Sequence, residues 1–376
     1  MGGKIGEYLA DPLLGRIYRE IKAAGPLRSI SVDLTHHCNL RCDGCYFFAE
    51  GMDDVKEPRD ERDFEAFIER EVERSTNFVT VVGGEPSLRL DRLRRLYETF
   101  RINVATNGLT RIPFCGFENL PIGISVWGAA ARDTRLRGGG RIAVFDRALE
   151  NYRDDPRAFW YYTVSADGVE EIPRVVERCI ANGNRVLFNF YSPVGGGCRG
   201  ADDLRPVRAA IESMIALHPQ WILITPYLSE VSAGGGLFGE KWGHAVCTSL
   251  SENFPGNQAR FRNGRPWNRH FRAYNADFRT TRRCCTGTTR ECSTCFDVWE
   301  HFSWIMLNMR KHMRSIEDFG RWLSTVYLFY YINRLVPADS GSAILETIHR
   351  LGSARKSWGD SPLEAATRGS AMLRET

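Results

Sequence analysis

Between residues 29 and 218 the chain alternates between short apolar, β-branched runs and longer stretches of helical period. The runs at 29–35 (SISVDLT), 78–82 (FVTVV), 102–108 (INVATNG), 122–128 (IGISVWG), 158–166 (AFWYYTVSA) and 185–194 (RVLFNFYSPV) predict six strands. The stretches at 63–75, 90–100, 141–153, 170–183 and 203–218 predict helices, the fourth closed by Gly183. Such repetition implies parallel strands, because a helix carries the chain back across the sheet before the next strand begins. The first strand is not followed by the glycine turn of a dinucleotide-binding sheet. The predicted fold is therefore α/β: a partial (β/α)6 TIM-like barrel over 29–220 with a C-terminal cysteine-rich and helical extension. Chemistry in such barrels sits at the C-terminal ends of the strands.

The expected division is an N-terminal helix over 1–28, the barrel over 29–220, the extension over 221–336 and a tail over 337–376. Leu9, Leu13, Leu14, Ile17 and Ile21 recur at helical spacing, so the first segment reads as an amphipathic helix rather than a signal peptide. Beyond 223 the chain turns rich in Gly, Asn, Pro and Arg, read as long structured loops. Two aromatic-rich helices follow, near 296–313 and 315–336. The most apolar run, 324–336, is too short to span a membrane. A formal net charge of +4 over 376 residues excludes a protein that coats nucleic acid. Eleven cysteines without a secretory signal point to the cytoplasm, where clustered cysteines are metal ligands more often than disulfides.

Cys38, Cys42 and Cys45 stand at C-x3-C-x2-C spacing directly after the first strand. Three thiolates can bind three irons of a [4Fe–4S] cluster and leave the fourth iron an open coordination position. A zinc knuckle, with His36 or His37 as fourth ligand, is the alternative. The turn GGEP (83–86) follows the second strand, TNG (106–108) the third and SVWG (125–128) the fourth. Cys115, Cys179 and Cys198 are scattered and read as small buried apolar residues.

With an aromatic residue after the last cysteine and GGEP after the second strand, residues 28–195 resemble the radical S-adenosylmethionine (SAM) enzymes. The resemblance implies that Cys38, Cys42 and Cys45 hold the cluster and that its open iron binds the amino and carboxylate groups of SAM. It implies Tyr46 beside the adenine, and Gly83, Gly84 and Glu85 at the methionyl amino group. Thr106, Asn107 and Ser125 lie at strand ends where ribose or carboxylate contacts are common; a turn or barrel-layer role is the alternative for these three. The implied chemistry is one-electron cleavage of SAM to methionine and a 5′-deoxyadenosyl radical that removes hydrogen from a substrate. An electron donor such as flavodoxin or ferredoxin is implied as a partner.

Cys247, Cys284, Cys285, Cys292 and Cys295 form a second group, with C-x2-C at 292–295. Four of them suffice for a second [4Fe–4S] cluster or a zinc site, and one of the adjacent Cys284 and Cys285 is expected to be spare. The group resembles the auxiliary-cluster extensions of SPASM or twitch type, though its spacing departs from theirs. Arg279, Arg282, Arg283 and Arg290 surround it and would steady an anionic cluster, bind an anionic substrate group or face solvent. The expected function is a radical SAM enzyme acting on a small organic metabolite, in natural-product biosynthesis. A peptide-modifying maturase is the alternative, against which stands the shortness of the segment before the first strand. A non-catalytic iron–sulfur carrier or sensor is another, and GGEP speaks against it.

Overall fold

The structure is a computed structural model and describes residues 2–192, 204–234, 245–263, 265–266, 270–287, 292, 295–337 and 341–353. Strands β1 (Ser29–Asp33), β2 (Phe78–Val82), β3 (Arg101–Thr106), β4 (Ile122–Val126), β5 (Ala158–Val164) and β6 (Arg185–Phe190) lie side by side in chain order. Every neighbouring pair is parallel. The strands start within a residue of expectation and most stop earlier, because the strand-like pattern runs on into the loops beyond their ends.

The expected helices are present as Arg62–Glu73, Leu90–Thr99, Val144–Asn151, Ile172–Ala181 and Arg205–Leu217. Their apolar faces explain their positions. Phe64, Phe67 and Ile68, then Leu93 and Leu96, then Val175, Val176 and Cys179 are all buried in one core with the strands. The N-terminal segment is two helices, Gly2–Leu9 and Pro12–Ala24. Asp11 caps the second by accepting the N–H groups of Leu13 and Leu14.

The extension is joined to the barrel sheet. β7 (Ala245–Val246) and β8 (Arg265–Pro266) form a small parallel ladder of their own. β9 (Ala273–Tyr274) pairs parallel with β1, and β10 (Thr281–Arg282) pairs antiparallel with β9. The sheet therefore runs β10-β9-β1-β2-β3-β4-β5-β6. The aromatic-rich helices are Val298–Leu307 and Ile316–Ile332, and both feed the common core.

Among the described residues, several helices stand where the sequence predicted none, Tyr46–Ala49 and Gln258–Asn263 among the short ones. Ala130–Leu136 follows β4 directly, and Pro226–Gly234 lies where loops were expected. Gly341–Ser353 falls in the expected tail, yet it buries Ile344, Leu345 and Ile348. Its His349 Nε2 donates to the Ile222 carbonyl at 2.9 Å. Cys198, Arg290, residues 235–244 and the chain from 354 lie outside the described residues. No helix among the described residues is long and apolar enough to cross a membrane.

Small side chains line the inside of the barrel. Ser31, Thr80, Ala105 and Gly123 face the interior where bulky branched residues usually fill such a core. The space they leave is a cavity of about 610 Å3.

Candidate functional site

β1 delivers the chain to a loop that carries Cys38, Cys42 and Cys45, and all three line the cavity. The loop is braced by backbone bonds. Leu34 N–H donates to Val82 O at 2.9 Å, Gly84 N–H to Thr35 O at 2.9 Å, and Glu85 N–H to His37 O at 2.8 Å. On its far side Asp43 N–H donates to Leu136 O at 2.7 Å. The end of β2 thus lies flat against the cysteine loop, which explains its two glycines. Gly83 has φ of +113°, and a Cβ there would meet Asp33 Cα, Leu34 N and Thr35 O at 2.9 Å. A Cβ on Gly84 would stand 2.0 Å from His37 O.

Glu85 is buried, and its carboxylate ties the end of β2 to the end of β3. It accepts from Ser87 N–H at 3.0 Å, Thr106 Oγ1 at 2.6 Å and Asn107 N–H at 2.7 Å. Asn107 in turn donates from Nδ2 to Asn39 Oδ1 in the cysteine loop at 2.7 Å. Gly83, Gly84, Glu85, Thr106, Asn107, Ser125 and Tyr46, named from the sequence, all line the same cavity as the three cysteines. Burial pushes the Tyr46 phenol well up, with Cys45 and Cys285 adding to the shift.

A buried ion pair that the sequence reading missed stands beside this group. Arg137 lines the cavity, lies 3.2 Å from Asp133 Oδ2, and donates to the Ser125 carbonyl at 2.6 Å. Burial works against the Arg137 charge, but Asp133 and Cys42 outweigh it and hold the guanidinium above its ordinary value. The available signal was the i, i+4 spacing of Asp133 and Arg137 in the unrecognised helix after β4. A second buried pair, Arg282 with Asp33 at 2.7 and 3.0 Å, fastens β10 to the end of β1. Burial raises the Asp33 carboxyl, and Arg282 opposes that shift.

The donor set at the cysteine loop fits an iron–sulfur cluster better than one zinc ion. Burial pushes the Cys38 thiol up to about 12 and the Cys42 thiol up to about 11, and it raises Cys45 as well. Such thiols become thiolates when metal displaces their protons. A single zinc would gather its sulfurs at about 2.3 Å from one centre. Among the described residues, only His36, His37 and Glu57 bring three potential ligand atoms within 4.8 Å of one another; the three cysteine sulfurs are more widely spread. The histidines are also turned aside. His36 Nδ1 is 3.1 Å and His37 Nε2 3.9 Å from Glu57 Oε1, and neither histidine lines the cavity.

The second cysteine group is assembled from separate segments. Cys285 lines the main cavity. Its sulfur lies 3.1 Å from Glu300 Oε1, and Cys247 Sγ meets Glu300 Oε2. Cys284 turns instead into its own tight turn, with Thr286 Oγ1 and Gly287 O each at 3.4 Å. Arg260 donates to Cys292 Sγ at 2.8 Å, and Cys295 N–H donates to Cys292 O at 3.3 Å. Arg282 is committed to Asp33, and Arg279 pairs with Asp63.

Comparison with known proteins agrees with the cysteine loop. Residues 28–119 match the family described as a 4Fe-4S single cluster domain. The mitochondrial GTP 3′,8-cyclase of Arabidopsis thaliana is 23% identical over 249 residues, covering 60% of this chain and 62% of that protein. A probable GTP 3′,8-cyclase of Saccharolobus solfataricus is 28% identical over 211 residues, covering 50% of this chain and 66% of its own length. The chain thus spans just under two thirds of these relatives. Among solved structures, anSMEcpe with bound AdoMet aligns at a TM-score of 0.48 and 13% identity, over 78% of this chain and 84% of that one. The cysteine loop, the single-cluster match over residues 28–119 and these sequence relatives together support the radical SAM enzyme superfamily.

Proposed function

We propose that this protein cleaves SAM reductively and removes a hydrogen atom from a small organic metabolite, in natural-product biosynthesis. The observation that carries this reading is one cavity that runs from the three cysteines into the barrel interior. Cys38, Cys42 and Cys45 would hold three irons, and the engagement of His36 and His37 with Glu57 leaves the fourth without a protein ligand. When bound, the cluster supplies one electron to the sulfonium of SAM, which yields methionine and the 5′-deoxyadenosyl radical. Glu85 accepts three hydrogen bonds within the protein, and a carboxylate has about four acceptor positions. The remaining one suits the methionyl ammonium. Tyr46 would flank the adenine, with Thr106, Asn107 and Ser125 at the ribose and carboxylate.

The substrate reading rests on the rest of the wall. Tyr161, Trp299, Trp127 and Tyr191 give it aromatic faces, with Tyr161 and Trp299 stacked at 6.3 Å between centroids. The GTP 3′,8-cyclases act on a triphosphate, which calls for several cations. Among the described residues the wall has three basic side chains, Arg28, Arg137 and His270. Arg137 is paired with Asp133, and His270 shares a 2.6 Å hydrogen bond with Thr76. This favours a metabolite without a polyphosphate. The C-terminal cysteines would hold a second [4Fe–4S] cluster of SPASM or twitch kind, and a flavodoxin or ferredoxin would supply the electrons.

The test is anaerobic incubation of the iron-reconstituted protein with SAM and dithionite. The wild type should form 5′-deoxyadenosine, and Cys42→Ala should form none. Equal product from both proteins would overturn the reading.

A further inference from the structure

We propose that Ser31, Thr80 and Asn103 form a polar subsite for the end of the substrate remote from the cysteine loop. It would take a neutral group that both donates and accepts hydrogen bonds, a hydroxyl or a carboxamide. The inference rests on the small-metabolite reading above and deepens it by naming the chemistry of that end. The three residues make one row of the sheet. Ser31 on β1 is the register partner of Thr80 on β2, and Thr80 is the partner of Asn103 on β3. Neighbouring strands lie about 4.8 Å apart, so the row spans about 10 Å of backbone. All three residues line the cavity, while their chain neighbours Ile30, Val79 and Ile102 point the other way into the core.

Two atoms of the row have no partner among the described residues. Ser31 is 1% exposed, and no hydrogen bond reaches its Oγ. Asn103 Oδ1 is buried and equally unmet. The orientation of that amide is fixed from behind. Asn333 Nδ2 donates to the Phe329 carbonyl at 2.8 Å, and a carbonyl can only accept. Asn333 therefore turns Oδ1 toward Asn103, which answers with Nδ2 at 2.7 Å. The Asn103 oxygen is left over and requires a donor. Buried polar atoms without partners are costly, and two in one row of a cavity wall are accounted for by a ligand that meets both.

The chemistry of that ligand follows from the two atoms. Asn103 Oδ1 only accepts, so the ligand must bring an N–H or O–H. Ser31 Oγ both donates and accepts. A carboxylate or phosphate has no proton to offer Asn103 and meets no cation in the row. A hydroxyl or a carboxamide suits both atoms. Phe78, two residues before Thr80 on β2, and Phe159 also line the cavity and give the adjoining wall apolar faces.

The test uses benzamide, benzyl alcohol, acetophenone and benzoate as probes. Acetophenone keeps the carbonyl of benzamide but carries methyl in place of the amide nitrogen, and benzoate is the anion of the same shape. Saturation-transfer NMR titrations read their affinities for the iron-reconstituted full chain, with and without SAM. Benzamide and benzyl alcohol should bind, and acetophenone and benzoate should bind about tenfold more weakly. Tighter binding of benzyl alcohol assigns the hydroxyl, and tighter binding of benzamide the carboxamide. Ser31→Ala should weaken both about three- to tenfold. It should leave the thermal unfolding midpoint of the free protein unchanged, because this hydroxyl holds nothing within the protein. Asn103→Leu, of similar volume, should weaken benzamide and spare acetophenone. Acetophenone or benzoate binding as well as benzamide, unaltered affinities in Ser31→Ala, or no binding of either donor probe would overturn the subsite. SAM cleavage is read separately. A chain that cleaves SAM without this probe preference loses the subsite alone, and one that shows the preference but leaves SAM intact loses the radical reading alone.

Discussion

The two cysteine groups are built on opposite plans. Cys38, Cys42 and Cys45 share one loop, and the backbone of β2 grips that loop through Gly84 and Glu85. The C-terminal cysteines come from separate segments, with Cys247 and Cys285 meeting at the Glu300 carboxylate from positions far apart in sequence. A local site has a readable spacing and a rigid support, whereas a convergent site has its ligands fixed by the surrounding fold. Gly84→Ala gives the most severe test of this contrast. Its Cβ would stand 2.0 Å from His37 O, so the first loop has to move while the second group is untouched. Iron should fall from about eight to about four per chain, and 5′-deoxyadenosine formation should disappear. Full iron content with normal activity would show that the glycine turn does not brace the first site.

The buried Arg282–Asp33 pair tests whether the two regions stand or fall together. Arg282→Leu strands the Asp33 carboxylate, and breaking such a pair costs about 3–5 kcal/mol. Chemical denaturation followed by barrel tryptophan fluorescence should register that loss. Adding Asp33→Asn should recover part of it, because the stranded charge is then gone. A barrel transition indifferent to Arg282→Leu would mean that the extension is merely attached. The mildest effect is expected at Glu85. Glu85→Gln removes a charge-assisted contact of about 1.5–3 kcal/mol, so SAM should bind roughly tenfold more weakly. Calorimetric titration reads this directly, and both iron centres should stay filled. Unaltered SAM affinity would leave Glu85 with only its structural bonds to Thr106 and Asn107.

What could be read from the sequence follows the same local-versus-convergent line. The six parallel strands were legible because each carries a run of apolar residues bounded by turns, and the first cysteine loop because its spacing is short. The placement of GGEP and TNG after neighbouring strands put Glu85, Thr106 and Asn107 at adjacent strand ends. Their direct bonding through the Glu85 carboxylate was not foretold. β9 and β10 are two residues each, too short for any periodicity to show. The helix Ala130–Leu136 is mostly polar, and Gly341–Ser353 lies past a stretch that reads as a chain end. Arg137 and Glu300 were invisible for another reason. A charged residue on a helix reads as a solvated one until the fold buries it.

The small residues inside the barrel bear on how such a protein could diversify. The reacting end of the cavity is fixed by the cysteine loop and the Glu85 latch at the C-terminal ends of the strands. The far end is closed by other residues, among them Asn103, whose Nδ2 donates to Asn333 Oδ1 at 2.7 Å. Ser31, Thr80, Ala105 and Gly123 also line the wall. Exchanges at the floor could therefore alter the length and shape of the accepted molecule while the radical-generating apparatus is inherited intact. Chemistry and recognition become separately mutable traits, so lineages of one ancestor could explore new substrates without rebuilding the reaction.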